Sequence, residues 1–211
     1  MLLLLSQFLA NTVASLEEYL AIEERTGVRH EYHNGKLRPM PGGSRRHSEI
    51  IGQVTFQLTK EFRSKNKSCK AMPSDMRVFV KSMQKSLYPD VTICCGERKY
   101  SIPNRKDFIS NPLVVVEVLS PSTEAYDLGE KFKTYQELKS LREYVLIQQT
   151  HCYVEVRTLV DVENGLWKYT YYEKMDDVIQ LKSIGAELPL SEVYYDIEFD
   201  EEEDAEELVE A

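Results

Sequence analysis

A single carboxylate inside an otherwise apolar run constrains this 211-residue chain more than any other feature. Leu113, Val114, Val115 and Val116 lead into Glu117, and Val118 and Leu119 follow it. Pro112 bounds the run on one side and Ser120-Pro121 on the other, so it reads as a strand covered on both faces. Burying an unpaired carboxylate there costs roughly several kcal/mol. Glu117 therefore needs a proton, a cation or a metal ion close by.

The length suits one sizeable domain. An apolar content of 42% with 29% charged residues places the chain among ordinary soluble globular proteins. No stretch approaches the roughly 20 apolar residues of a membrane span. Leu2 to Leu5 have no basic residue before them and no small-residue cleavage site after them, so residues 1–14 read as an N-terminal extension rather than a signal peptide. Cys69, Cys94, Cys95 and Cys152 show neither a CxxC pair nor a His spacing suited to zinc. They are expected to be reduced packing thiols in a cytoplasmic protein with no membrane partner.

The formal net charge of -9 is unevenly spread. Ten of the 35 acidic residues lie between Asp196 and Ala211, which leaves 25 acidic against 26 basic residues in the rest of the chain. Residues 196–211 are therefore expected to form a solvated, disordered acidic tail after a domain spanning 15–195. A sharper reading makes the tail a nucleic-acid mimic lying in a basic groove.

Ser15 and Glu18 have capping-box spacing and predict a helix to about Arg25. Asn34-Gly35 then predicts a hairpin that carries Glu31 on its first strand. A second helix is expected from about Arg46 to Ser64, with Ile50, Ile51, Val54, Leu58 and Phe62 on its buried stripe. Eight basic residues lie between Lys60 and Lys85, a run that fits phosphate contacts and equally a solvated helix end and hairpin. Strands follow around Val78 and from Tyr88 to Cys95, Gln84 to Ser86 read as a turn, and Gly96 to Ser110 read as a loop. After the Glu117 strand, a helix is predicted from Thr123 to about Lys139, then strands at 143–148, 152–157, 166–172 and 178–181. Trp167, Tyr169, Tyr171 and Tyr172 read as sheet packing rather than a base-stacking platform. The order gives a mixed α/β sheet flanked by helices, with an additional antiparallel C-terminal portion.

Asp90 opens one strand and Glu117 lies near the end of another, so antiparallel neighbours would bring them level. Two such carboxylates are enough for a Mg²⁺ site, because this ion keeps water and substrate phosphate in its other positions. On the following helix Asp127, Lys131 and Tyr135 recur every four residues, a spacing that by itself fits a surface ion pair.

Glu31 with Gly35, His47, the run Tyr88-Pro89-Asp90-Val91, the run Val116 to Thr123, then Asp127, Lys131, Tyr135 and Glu143-Tyr144 resemble a large bacterial endonuclease family. That family lies within the PD-(D/E)XK, restriction-endonuclease-like superfamily, and the likeness runs from about Leu16 to Tyr194. The resemblance implies a Mg²⁺-dependent nuclease, with Mn²⁺ as a substitute, and DNA as substrate. It implies Asp90, Glu117 and the Val118 carbonyl as metal ligands, and Glu31 as an accessory acid. The lysine expected two residues after the glutamate is Leu119 here, and Lys131 is its natural substitute. His47, Asp127 and Tyr135 are accessory candidates, His47 serving as phosphate donor, general base, or a structural or helix-capping residue. Two rival readings accompany the nuclease: an inactive interaction module of the same fold, and a phosphoesterase for small substrates. A homodimer is expected, as in related enzymes that cut both strands.

Overall fold

The computed structural model of the chain describes residues 15–40 and 42–199, so the N-terminal extension and the tail from residue 200 lie outside the described residues. The Ser15 hydroxyl accepts the Glu18 amide at 3.2 Å while the Glu18 carboxylate accepts the Ser15 amide at 2.7 Å. This reciprocal cap starts helix α1, Leu16–Thr26. Strands β1, His30–His33, and β2, Lys36–Pro39, then pair across Asn34 and Gly35, which take φ of 48° and 95° as a tight hairpin turn demands. Ser44 caps helix α2, Arg45–Ser64, and all five residues of its predicted stripe are buried.

The next strands are β3 (Cys69–Pro73), β4 (Arg77–Val80), β5 (Lys85–Leu87), β6 (Val91–Cys95), β7 (Tyr100–Ile102), β8 (Arg105–Ile109) and β9 (Val114–Leu119). A helical segment, 124–135, is called α3 below. Strands β10 (Glu143–Gln148), β11 (Val154–Asp161), β12 (Leu166–Tyr172), β13 (Val178–Leu181) and β14 (Ala186–Pro189) precede a short helix α4, Leu190–Val193.

The mixed α/β class with flanking helices and a further antiparallel pair, β13-β14, is the one the sequence predicts. Its strands divide into two six-stranded sheets rather than one, with orders β2-β1-β5-β4-β8-β7 and β12-β11-β10-β9-β6-β3, the second being the larger because its strands are longer. Strand β5 causes the division. It occupies residues that read as a turn, and it pairs with β1 and β4 instead of extending the sheet that holds β6. The turn is instead a 3-10 turn at Lys81–Met83 closed by Gln84 at φ 50°. The stretch expected as a loop, 96–110, contains the β7-β8 hairpin, whose short strands carry too few apolar positions to show a period of two.

Strand β9 lies at the centre of the larger sheet, parallel to β10 and antiparallel to β6. All six of its residues are buried. One face meets α2 and the β13-β14 pair through Val114, Val116 and Val118. The other meets α3 through Val115 and Leu119.

The expectation of four reduced thiols is overturned for two of them. Cys69 and Cys95 face each other across the β3-β6 register and form a disulfide, while Cys94 and Cys152 are free. The spacing carries no sign of this pair, because the register that opposes the two residues is a tertiary fact. No helix among the described residues is long and apolar enough to cross a membrane.

Leu58 is fully buried where α2 covers the larger sheet. Leu58→Ala is expected to lower stability by about 2–5 kcal/mol through lost burial and the cavity left behind. Urea unfolding checks this: the midpoint should fall with an unchanged slope, and an unchanged midpoint would contradict the packing described.

Candidate active site

The β6-β9 register pairs Val91 with Val116, which puts Asp90 level with Glu117. The predicted juxtaposition of the two carboxylates is thus present. The Asp90 amide donates to Glu117 Oε2 at 3.3 Å, and the Val118 amide donates to Asp90 Oδ2 at 2.7 Å. Each acid is held by the other's strand.

Helix α3 supplies the cation. Residues Glu124–Tyr126 and Phe132–Tyr135 are α-helical, but Asp127–Lys131 between them form a π-helical turn. The regular helix predicted to about Lys139 therefore ends at Tyr135 and is widened in the middle. Asp127 and Lys131 are 3% and 7% exposed, so the surface pair that their spacing suggests is a buried one. Lys131 Nζ lies 2.9 Å from Glu117 Oε2, 3.2 Å from Asp127 Oδ1 and 4.0 Å from Glu31 Oε1, and it donates to the Tyr88 carbonyl at 3.4 Å. Burial opposes its charge, but Asp127, Glu117 and their neighbours outweigh burial and hold its pKa well above the ordinary lysine value.

Glu31, on β1, closes the opposite side. Its carboxylate accepts the Tyr126 hydroxyl at 2.6 Å, lies 3.1 Å from His33 Nε2 and accepts the Tyr88 amide at 3.4 Å. Burial pushes its pKa up, yet the bonds from His33 and Tyr126 and the charge of Lys131 bring it below the usual carboxylate value. Glu117 shows the reverse balance. At 1% exposure, burial raises it well above the ordinary value, and the nearby Asp127 and Asp90 add to the rise against the pull of Lys131. Its Oε1 has no hydrogen-bond partner among the described residues.

Asp90, Glu117, Glu31, Asp127, Lys131 and His47 line one cavity of about 260 Å³. His47 Nε2 is 3.2 Å from Asp90 Oδ2. The helix-capping role weighed for His47 belongs to Ser44, which accepts the His47 amide at 3.1 Å. Tyr135 is not in the cavity. It is fully buried among Phe132, Tyr144 and Leu119 in the core below. Leu119 shares the Glu117 face of β9 but packs into that same core and does not line the cavity. Trp167 packs edge-on against Phe132 with centroids 5.1 Å apart, the sheet packing expected of it.

Four of the eight residues in the basic run between Lys60 and Lys85 are tied up by partners within the fold. Lys65 pairs with Glu61, Lys67 donates to the Ile184 and Gly185 carbonyls, Arg77 is held by Glu23 and Asp107, and Lys85 pairs with Glu130. Sequence reasoning missed Tyr126, His33 and Arg38. The guanidinium of Arg38 stacks 5.2 Å above the Tyr126 ring at the cavity rim. His33 and Arg38 sit two residues and seven residues beyond Glu31, so strand alternation alone puts His33 on the Glu31 face.

Among the described residues no group of three or more His, Cys, Asp and Glu side chains is arranged as a ready metal site. The cavity instead offers two level carboxylates, one of them with a free oxygen, under an excess of negative charge. That donor set fits a hard cation content with one or two carboxylates, and it does not fit zinc.

Tyr126→Phe removes the strongest bond to Glu31 and should lower stability at neutral pH by about 1–2 kcal/mol. Because Glu31 is held below its unfolded value of 4.5, its contribution is present above that pH and is lost as pH falls through the folded value. The difference between wild type and Tyr126→Phe should therefore shrink in acid. Chemical denaturation at about pH 7 and about pH 3 tests this, and a constant difference would count against the assigned pairing.

A family model described as "Putative restriction endonuclease" matches residues 16–191. Two uncharacterized proteins of Synechocystis sp. are similar to the chain. One is 36% identical over 187 residues, covering 88% of this chain and 93% of that protein. The other is 31% identical over 141 residues, covering 67% and 77%. The fold is similar to the crystal structure of a putative nuclease belonging to DUF820 from Anabaena variabilis, with a TM-score of 0.68 and 18% identity over 86% of this chain and 97% of that one.

Proposed function

The chain belongs to the putative restriction endonuclease family, and from that premise we propose that it is a Mg²⁺-dependent endodeoxyribonuclease, with Mn²⁺ as a substitute, that hydrolyses phosphodiester bonds. The observation that carries this reading is the charge imbalance of the cavity. Glu31, Glu117 and Asp127 converge there on the single ammonium of Lys131, and a fourth carboxylate, Asp90, lines the same cavity level with Glu117. A buried excess of negative charge calls for another cation, and a divalent ion held by two carboxylates, waters and a substrate phosphate meets that need.

In this reading Asp90 and Glu117 hold the ion, with the Val118 carbonyl as a further ligand. The bound ion supplies Lewis-acid stabilisation of the phosphate and a more acidic water. Lys131 donates hydrogen bonds toward the attacking water or a phosphate oxygen and offsets charge that develops in the transition state. Asp127 keeps Lys131 charged, and Glu31, oriented by Tyr126 and His33, receives a proton or anchors a water. His47 steadies Asp90. Lys131 reaches Glu117 from α3 and supplies the cation that Leu119 does not, which supports catalysis over the reading of an inactive module. Cutting both strands of a duplex calls for two such sites, which we propose a homodimer provides.

Plasmid nicking in Mg²⁺ or Mn²⁺ tests the reading. Glu117→Gln and Lys131→Ala should each lose about 100-fold or more in rate. Calorimetric titration with Mn²⁺ should show binding that Asp90→Asn weakens. Absence of cleavage on every DNA and RNA substrate, or variants that cut as fast as wild type, would refute the assignment.

A further inference from the structure

The π-helical turn at Asp127–Lys131 is the device that lets both of its ends face Glu117, and its main chain is held from outside the helix. In a regular α-helix the Leu128 carbonyl would accept the amide of Phe132. Here that amide bonds to the Gly129 carbonyl instead. The Leu128 carbonyl is taken by Arg157, from β11, whose Nη1 donates to it at 2.8 Å. One residue earlier, the Asp127 carbonyl accepts the hydroxyl of Tyr144, from β10, at 2.9 Å.

Arg157 is an unusual residue to find at that place. It is 5% exposed, its Nε donates to Glu155 Oε1 at 2.5 Å, and its guanidinium stacks 4.5 Å from the centre of the Phe132 ring. The centre of the Tyr169 ring lies 5.1 Å away. A buried guanidinium fixed by a carboxylate and two rings is a rigid donor, with little entropy left to lose in gripping a carbonyl. Neither Arg157 nor Tyr144 lines the cavity.

We propose that Arg157, together with Tyr144, is a positioning residue for the reaction: it stabilises the π turn against relaxation to an α-helix and so aims Lys131 at Glu117. Relaxation would restore the amide of Phe132 to the Leu128 carbonyl and rotate Lys131 relative to Asp127. The ammonium would then leave its 2.9 Å contact with Glu117. The catalytic half of this inference rests on the nuclease reading, and the geometric half does not.

Arg157→Met keeps the apolar stem and removes the donor, Arg157→Lys restores one donor, and Glu143→Gln serves as a packing control. Glu143 immediately precedes Tyr144 on β10 and so points to the opposite face of the sheet, where it is buried and accepts the Lys182 and Ser183 amides. Two measurements apply to all: acetylation of Lys131 followed by mass spectrometry, and nicking kinetics. Arg157→Met should raise the Lys131 labelling rate about tenfold and lower kcat by about 10–100-fold with KM little changed, as expected for a misplaced group. Arg157→Lys should recover part of both, and Glu143→Gln should melt earlier with Lys131 labelling unchanged.

A folded Arg157→Met with wild-type labelling overturns the proposal, as does a Glu143→Gln that labels equally fast. If Arg157→Met does not fold, Tyr144→Phe is read in the same way. If wild type cuts no nucleic acid, the nuclease reading fails while labelling still decides the role of Arg157 in placing Lys131.

Discussion

The ammonium of Lys131 is the interaction on which the rest of the site depends. Three buried carboxylates lie within 4.0 Å of it, and each would be costly to keep ionised without it. Two of those acids come from the cores of different sheets, Glu31 from the smaller and Glu117 from the larger. One side chain thus ties both sheets to α3. Removing it would leave several uncompensated charges at once, a loss of the kind that destabilises by about 3–5 kcal/mol for a single broken pair.

Such an arrangement is weak as a device for stability and makes sense as one for chemistry. An apolar filling of the same volume would often hold the elements together as well or better. The protein instead keeps Glu117 with one oxygen free, raised by burial and by two neighbouring acids. Perturbed groups gathered in one cavity are a mark of functional sites, and here geometry and charge agree.

Much of this was legible in the sequence because local patterns carried it. The capping box at Ser15, the Asn34-Gly35 turn and the stripe of α2 each depend on residues a few positions apart, and each formed as its pattern required. The juxtaposition of Asp90 and Glu117 was legible too, since strand polarity alone brings a strand start level with a neighbour's end. What stayed hidden was long-range or non-standard. Spacing by four made Asp127 and Lys131 resemble a surface pair, because nothing in the residues themselves announces a π turn whose carbonyls are held by β10 and β11. The Cys69–Cys95 bond, the division into two sheets and the partners that tie up half of the basic run likewise depend on long-range contacts that no single segment encodes.

Tyr88 gives the fold one more property. Its amide serves Glu31, its carbonyl serves Lys131, and its hydroxyl donates to Glu23 of α1 at 2.9 Å while Arg77 pairs with the same acid. Pro89 follows directly and restricts the Tyr88 backbone, so little slack remains between the hydroxyl and the contacts to Glu31 and Lys131. Helix α1 contributes no side chain to the cavity, yet it is part of the scaffold that sets the cavity's dimensions. Trimming the chain back to the first hairpin would therefore remove the far anchor of the site.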